Sequence, residues 1–452
     1  MGKLVIIGGS DAGISGALRA RELSPATEVT VVFEDRYPNF SICGLPFYLS
    51  GEVADWRTLA HRTAQEIEKE GVRLLLEHRA TSLDPARKRV LVRSPGGELR
   101  EMAYDGLILA TGARSIRPNI DGIDLPGVFL LRWMDDAFAI ERFIGERRPR
   151  SAIIVGAGYI GMEMADALTY RGMKVTVVEF LDSVLTTVDR ELGERIEAHL
   201  KAHGVKVHTG ISVTGVGETE GQLAVRGADG FSAMADMVLV AVGARPRTEL
   251  AFSAGIESGF KGALRVDRTM RTNVPDIYAA GDCAETWHRI LRQNAYLPLG
   301  TTAHKQGRVA GENAVGGNRE FQGTLGTQAV KIFDLVVART GLRDCEAAPA
   351  GFDPVTVEFE AWDHKAYYPG ARKLWIRLTG ERGSGRLLGA QMLGDRRSEV
   401  SKRIDVFAAA IYNDMPIDAL SDLDLSYTPP LSSPWDPVQM SAQAWSKWRR
   451  QG

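Results

Sequence analysis

Two copies of one short pattern constrain this chain more than anything else in it. Residues Leu4 to Ile7 form an apolar run that leads into Gly8-Gly9-Ser10-Asp11-Ala12-Gly13. An amphipathic stretch follows to about Leu23, with Ile14, Ala17 and Leu18 on one side, and then a run Val29 to Phe33 that ends at Glu34. All-apolar runs suit strands of a parallel sheet covered on both faces, and the intervening spacing suits a helix. Strand, glycine turn, helix and acid-ended strand make a dinucleotide-binding unit. Its glycines let backbone approach a pyrophosphate at the helix N-terminus, and its carboxylate accepts from a ribose hydroxyl. Ser10 stands at the middle glycine, so this copy is imperfect. About 150 residues on, Ala152 to Val155 lead into Gly156-Ala157-Gly158-Tyr159-Ile160-Gly161, a complete GxGxxG, then a helix and the strand Val175 to Val178, ending at Glu179. The pair predicts two dinucleotide sites. A carboxylate at Glu179, with no Arg or Lys from Phe180 to Val188, favours NADH over NADPH by repelling a 2′-phosphate.

Other runs fill in the frame. Leu107-Ile108-Leu109-Ala110-Thr111-Gly112 and Val240-Ala241-Val242-Gly243 read as buried strands ending on glycine, suited to crossings between two domains. Val274 to Asp282 reads as another, ending in Gly281-Asp282 before a predicted helix; Asp282 could bond a ligand hydroxyl or cap that helix. From about Gly326 the texture changes to strand runs Ala329 to Ile332, Val355 to Phe359, Leu374 to Leu378 and Leu387 to Leu393, then a helix Ser398 to Asn413. This predicts an α+β domain without a glycine fingerprint. With 452 residues, three domains are expected. A net charge of -2 gives no basic excess for nucleic acid. The N-terminus has no signal-peptide pattern and no apolar run is long enough to span a bilayer, so a cytoplasmic protein is expected. Three cysteines cannot build a disulfide framework, which fits a reducing compartment.

One of those cysteines stands out. Cys43, in Asn39-Phe40-Ser41-Ile42-Cys43-Gly44-Leu45-Pro46-Phe47-Tyr48, follows Glu34 by nine residues and has no second cysteine near it, which excludes a CxxC or CxxxxC pair. A lone thiol beside a bound nucleotide can be a redox centre; it can equally be a small residue buried at a helix start. Cys283 reads as a packed small residue, Cys345 as a surface thiol and His304 as core packing. No His/Cys/Asp cluster shows metal-ligand spacing, so no metal is expected.

The order of glycine fingerprint, lone cysteine, ATG, second fingerprint, AVGxRP and IYAAGD resembles the flavoprotein pyridine nucleotide-disulfide oxidoreductases along essentially the whole chain. A single cysteine resembles the branch of coenzyme A-disulfide reductase, NADH oxidase and NADH peroxidase. The resemblance implies two Rossmann-like domains, an FAD domain in residues 1–113 and 244–325 and an NAD(P)H domain in 114–243, plus a C-terminal α+β dimerisation domain in 326–452 that makes a homodimer. It implies FAD on Gly8, Ser10, Asp11, Ala12, Gly13, Glu34, Gly281 and Asp282, and the nicotinamide cofactor on Gly156, Gly158, Tyr159, Ile160, Gly161 and Glu179. Asp35, Ala110, Thr111, Gly112, Gly243, Thr301 and Thr302 complete the cofactor-binding set. His364-Lys365-Ala366-Tyr367-Tyr368-Pro369-Gly370 looks like the YYPG segment of coenzyme A-disulfide reductases, and Leu425-Ser426-Tyr427-Thr428-Pro429-Pro430 like their YAPP segment. The implied roles of Tyr367 and Tyr427 are to reach the partner subunit's cysteine and assist disulfide cleavage.

The implied reaction carries electrons from NADH through FAD to Cys43, whose thiolate, expected at a depressed pKa, attacks a small-molecule disulfide or persulfide such as coenzyme A disulfide. Three departures bear on it. Asp11 stands where oxidases and peroxidases carry a histidine beside the flavin. Asn39 and Ile42 replace the usual Ser and Asn before the cysteine. Glu22 stands where an Arg often meets coenzyme A phosphates, and should repel a polyanion. The chain also ends without the rhodanese domain of some persulfide-reducing relatives. Alternatives are an NADH oxidase, a reductase of a metal, arsenical or quinone acceptor, and a non-enzymatic flavin redox sensor.

Overall fold

The computed structural model describes residues 2–451. Its first sheet is all parallel, in the order Ile277–Ala279, Gly106–Leu109, Lys3–Ile7, Glu28–Phe33, Val72–Leu76. The helix Asp11–Leu23 connects the third and fourth of these and lies against the helix Gly300–Ala314. That contact needs small residues: a Cβ on Gly307 would sit 2.2 Å from the Ala12 carbonyl oxygen, and one on Gly311 2.1 Å from that of Gly16. The second sheet repeats the plan, in the order Lys206–His208, Lys174–Val178, Ser151–Val155, Met237–Val240, Val128–Leu130, again all parallel. In both sheets the strand order reverses beside the fingerprint strand, which opens a crevice at the carboxyl ends. The expected α/β class with two Rossmann-like units is therefore observed.

Each unit also carries an antiparallel meander that the sequence reading missed, Arg79–Ala103 in the first and Val213–Ala235 in the second. The chain crosses between the units as a short ribbon in which Ala113–Ser115 pairs with Ala244–Pro246. The glycine-ended runs expected to be crossings are interior strands of the two sheets, and the crossing begins just beyond Gly112 and Gly243. The third sheet is antiparallel, in the order Gln328–Ile332, Leu335–Gly341, Leu387–Asp395, Lys373–Glu381, Pro354–Trp362. Helices Val400–Tyr412 and Pro437–Gln451 pack on it. Among the described residues no helix is long and apolar enough to cross a membrane.

One hydrophobic core joins the second and third sheets and takes in the segment after Cys43. Leu45 and Leu49 of the short helix Leu45–Ser50 are buried with Met162 and Leu168 of the helix Tyr159–Tyr170 and with Val330 and Leu335 of the third sheet. The Arg171 Nε–H donates to the Leu49 carbonyl at 2.8 Å and closes the end of that short helix.

Candidate active site

Cys43 sits in a single helical turn, Ile42–Gly44, and its side chain is exposed rather than buried at a helix start. The chain leading to it is tied to the first fingerprint: Asn39 N–H donates to the Gly9 carbonyl at 2.8 Å, His61 N–H donates to that of Asn39 at 3.0 Å, and Ser41 N–H to that of Leu59 at 2.8 Å. The helix behind it is anchored on the second unit. The thiol is thus held between the two nucleotide units by packing on both sides.

The surroundings do not depress its pKa, contrary to expectation. Desolvation by the packed walls, then the Glu163 and Asp11 carboxylates, raise it; Arg132 opposes them, but that guanidinium is committed to Asp282 at 2.6 Å. Glu163, on the helix Tyr159–Tyr170, is itself pushed up to about 7 by burial, with Lys331 pulling the other way. Lys331 is engaged by Asp166 at 2.7 Å and Glu52 at 3.6 Å. A carboxyl that titrates higher in the folded chain than in the unfolded one binds more protons when folded. Its stability contribution is present below the ordinary glutamate value of 4.5 and is lost as pH rises through about 7. Glu163→Gln should therefore widen its thermal-stability advantage over the natural protein between about pH 5 and pH 8, measured by melting at each pH; an advantage that does not change with pH contradicts this.

Asp11 opens the helix Asp11–Leu23, and burial raises its pKa. Its buried Oδ1 lies 3.4 Å from His304 Nε2 and has no closer polar partner. His304 Nδ1 is 2.8 Å from Ser15 Oγ, and its ring meets His61 edge-on at 5.9 Å. His304 is therefore a half-exposed member of a polar cluster, not the core residue its apolar neighbours in sequence suggested. Beside this cluster a cavity of about 590 Å³ opens on the outer side of the first fingerprint helix, lined among others by Arg21, Arg62, Arg308, His61 and Asn39. Glu22 also lines it, but its carboxylate is neutralised by Arg19 at 2.8 Å and Arg308 at 3.6 Å.

Both fingerprints leave their helices uncapped. Neither Ser10 nor Gly158 places a side chain on the first-turn N–H groups, so those donors stay free for an anion. A Cβ at Gly158 or Gly112 would meet nothing within 4 Å, so the space above both is open. Glu179 braces the second glycine loop: its carboxylate accepts from Ala157 N–H at 2.6 Å and Leu181 N–H at 2.8 Å. Glu34 pairs with Arg247 at 2.7 Å, and Asp35 accepts from Arg36 N–H at 2.6 Å. The Thr111 hydroxyl donates to the Arg247 carbonyl at 2.5 Å, while the Thr302 hydroxyl is buried against Thr324 at 3.3 Å and Thr301 is exposed. Gly281 N–H donates to Gln306. No helix follows Asp282, which rules out its reading as a cap; a turn and the strand Thr286–His288 come next. Cys283 is buried with its Sγ–H toward the Leu109 and Ala280 carbonyls, and Cys345 is exposed, as expected of each.

The description of the pyridine nucleotide-disulphide oxidoreductases matches residues 2–307, and that of their dimerisation domain matches residues 327–437. The chain belongs to the pyridine nucleotide-disulphide oxidoreductases. It is 35% identical to an NAD(P)H sulfur oxidoreductase (CoA-dependent) of Pyrococcus furiosus, over 98% of each chain. It is 33% identical to an NADH oxidase of Methanocaldococcus jannaschii, over 98% of each. A solved NAD-dependent persulfide reductase from A. fulgidus superposes with a TM-score of 0.95 at 38% identity, covering 99% of this chain and 84% of that one. The chain is an oxidoreductase, and its family carries FAD and NAD(P)H. The uncapped helix termini and open glycine loops fit both groups.

Tyr367 and Tyr427 lie on loops and are 73% and 44% exposed. Their two segments are brought together within the dimerisation domain. Lys365 N–H donates to the Pro429 carbonyl at 3.3 Å, and the buried Arg403 guanidinium reaches the Asp363 carbonyl at 2.8 Å, the Leu431 carbonyl at 3.2 Å and Asp436 at 3.2 Å.

Proposed function

We propose that this protein is an NAD(P)H-dependent reductase of a low-molecular-weight disulfide or persulfide carrying an anionic carrier such as coenzyme A. Two observations carry the reading: Cys43 is exposed, and Asn39, on the segment that leads to it, lines a cavity rimmed by Arg21, Arg62 and Arg308. The cavity size lies in the range of small-molecule sites. With Glu22 held by Arg19 from outside the lining, the rim sets Arg21, Arg62 and Arg308 against Glu70, a net positive charge that answers the sequence-based objection to a polyanion.

When bound, FAD and NAD(P)H supply the electron pair that returns Cys43 to its reduced state. The protein's own residues do the rest. The Cys43 thiolate attacks one sulfur of the substrate; a new S–S bond forms on Cys43 and the old one breaks, releasing a thiolate. Tyr367 and Tyr427, presented as one exposed pair of loops, would come from the second subunit of a homodimer and give the leaving sulfur a proton or hydrogen bond. The bracing of Glu179 near the second fingerprint favours NADH.

Arg62→Ala and Arg308→Ala should each raise KM for coenzyme A disulfide by about fivefold to tenfold at low salt, with kcat nearly unchanged, since rim charges act on encounter and binding. Steady-state assays at two ionic strengths check this. A KM unmoved in both variants removes the cavity from substrate binding. The reading as a whole is tested by anaerobic NADH oxidation with coenzyme A disulfide, coenzyme A persulfide and glutathione disulfide. Rapid turnover with oxygen alone, and none with these acceptors, overturns it in favour of an oxidase. That second reading has its own observation: an imidazole, absent from position 11, is restored next to Asp11 by His304 from a different helix.

A further inference from the structure

A second cluster, which shares no residue with the Cys43 site, lies where the second nucleotide unit meets the dimerisation domain. The helix Arg190–Ala202 carries His199, and His203 follows at its end, one turn along the same face. Opposite them is the two-residue turn Phe333-Asp334 between the strands Gln328–Ile332 and Leu335–Gly341. Asp334 Oδ1 lies 3.0 Å from His199 Nε2 and 3.8 Å from His203 Nε2. In the sequence His199 and His203 stand one helical turn apart, while Asp334 lies 131 residues beyond His203 and arrives from another domain.

The orientation of the rings is informative. His203 Nδ1 donates to the His199 carbonyl at 2.9 Å, which leaves Nε2 with its lone pair facing Asp334. His203 thus has one ring nitrogen tied to a carbonyl and the other free, as metal-binding imidazoles are held. His199 Nε2 is buried without a well-formed hydrogen bond. Phe333 stacks flat on His203, with centroids 4.1 Å apart and planes at 4°. It does so at φ 57°, a left-handed conformation that is costly for a bulky side chain. The strained turn keeps Asp334 aimed at the two rings. The nearby Arg397 is occupied by Asp395 at 3.0 Å.

We propose that His199, His203 and Asp334 form a divalent transition-metal site, for Zn²⁺ or a like ion such as Co²⁺, that pins the second nucleotide unit to the dimerisation domain. All three ligand atoms already lie within 4.8 Å of one another. Tetrahedral bonds of about 2.0–2.1 Å set ligand atoms about 3.3–3.4 Å apart, and the two measured separations bracket that value. Imidazole and carboxylate together suit ions of this class, with water completing the shell.

The test uses untagged, flavin-loaded protein freed of metal by chelator and titrated with Co²⁺ by calorimetry and visible absorption. The expected result is one Co²⁺ per chain, with affinity lowered tenfold or more in both His203→Ala and Asp334→Asn while the flavin spectrum is unchanged. Zn²⁺ should raise the melting temperature of the natural protein and not of the variants. No Co²⁺ uptake by the natural protein, or uptake of equal affinity in both variants, overturns the assignment; the latter would place the ion on thiols or other surface groups.

Discussion

Cys43→Ser is expected to lower kcat/KM for a disulfide or persulfide acceptor by on the order of 10³-fold or more, with flavin content and NAD(P)H-driven flavin reduction intact. A serine hydroxyl is far less acidic than a thiol and cannot form the S–S bond to substrate on which the proposed exchange depends. The substitution should cost little in structure. The side chain is exposed, and the turn that carries it is held by Leu45, Leu49 and the Asn39 backbone rather than by the thiol. Anaerobic kinetics with coenzyme A disulfide check the loss, and rapid mixing with NADH checks what remains. Activity within tenfold of the natural protein would remove Cys43 from the mechanism. A companion measurement follows from the raised thiol pKa. Alkylation of the reduced protein by iodoacetamide should still be accelerating above the ordinary thiol value of 9.0, as thiolate accumulates late.

The frame of the molecule was legible because its signals are local. The fingerprint glycines, the apolar strands Leu4 to Ile7 and Ala152 to Val155, and the acids Glu34 and Glu179 each report within about 30 residues of chain. The meanders were missed because strands such as Arg79–Asp84 and Leu99–Ala103 carry many polar residues on open faces, which hides their alternation. What the sequence could not show is pairing at a distance. Glu22 looked repulsive until Arg19 and Arg308 were seen to hold it. The position of Asp11 looked bereft of an imidazole until Gly307 and Gly311 let the helix Gly300–Ala314 pack close enough to bring in His304. Cys43 was expected to have a depressed pKa because thiolate chemistry calls for one. After burial the largest influences on it are the Glu163 and Asp11 carboxylates, and the Arg132 guanidinium that opposes them is paired with Asp282.

Gly8→Ala should all but abolish flavin loading, for two reasons that act at the same atom. Gly8 has φ 119°, outside the range open to an L-residue, and it holds the turn from which the first fingerprint helix starts. A Cβ there would lie 2.0 Å from the Ala110 carbonyl oxygen and 2.6 Å from its carbon. Ala110 directly follows the strand Gly106–Leu109 and its N–H is bonded to the Ile7 carbonyl, so neither side of the contact is a flexible side chain that can swing away. Relief therefore requires the turn to move off the strand, and with it the uncapped N–H groups of Asp11–Leu23 that would face the pyrophosphate. Overpacking of a rigid contact costs about 1–3 kcal/mol or more, and each 1.4 kcal/mol taken from binding is about tenfold in affinity. The purified variant should thus carry less than about a tenth of the natural flavin content, read from the visible spectrum. Gly96→Ala, whose Cβ would come no nearer than 3.8 Å to the Ser94 hydroxyl and whose φ is not in the left-handed region, serves as control and should load normally. Full flavin occupancy in Gly8→Ala would mean that the turn yields without cost, and that the close packing of the first fingerprint on its neighbouring strand is not what shapes the cofactor site.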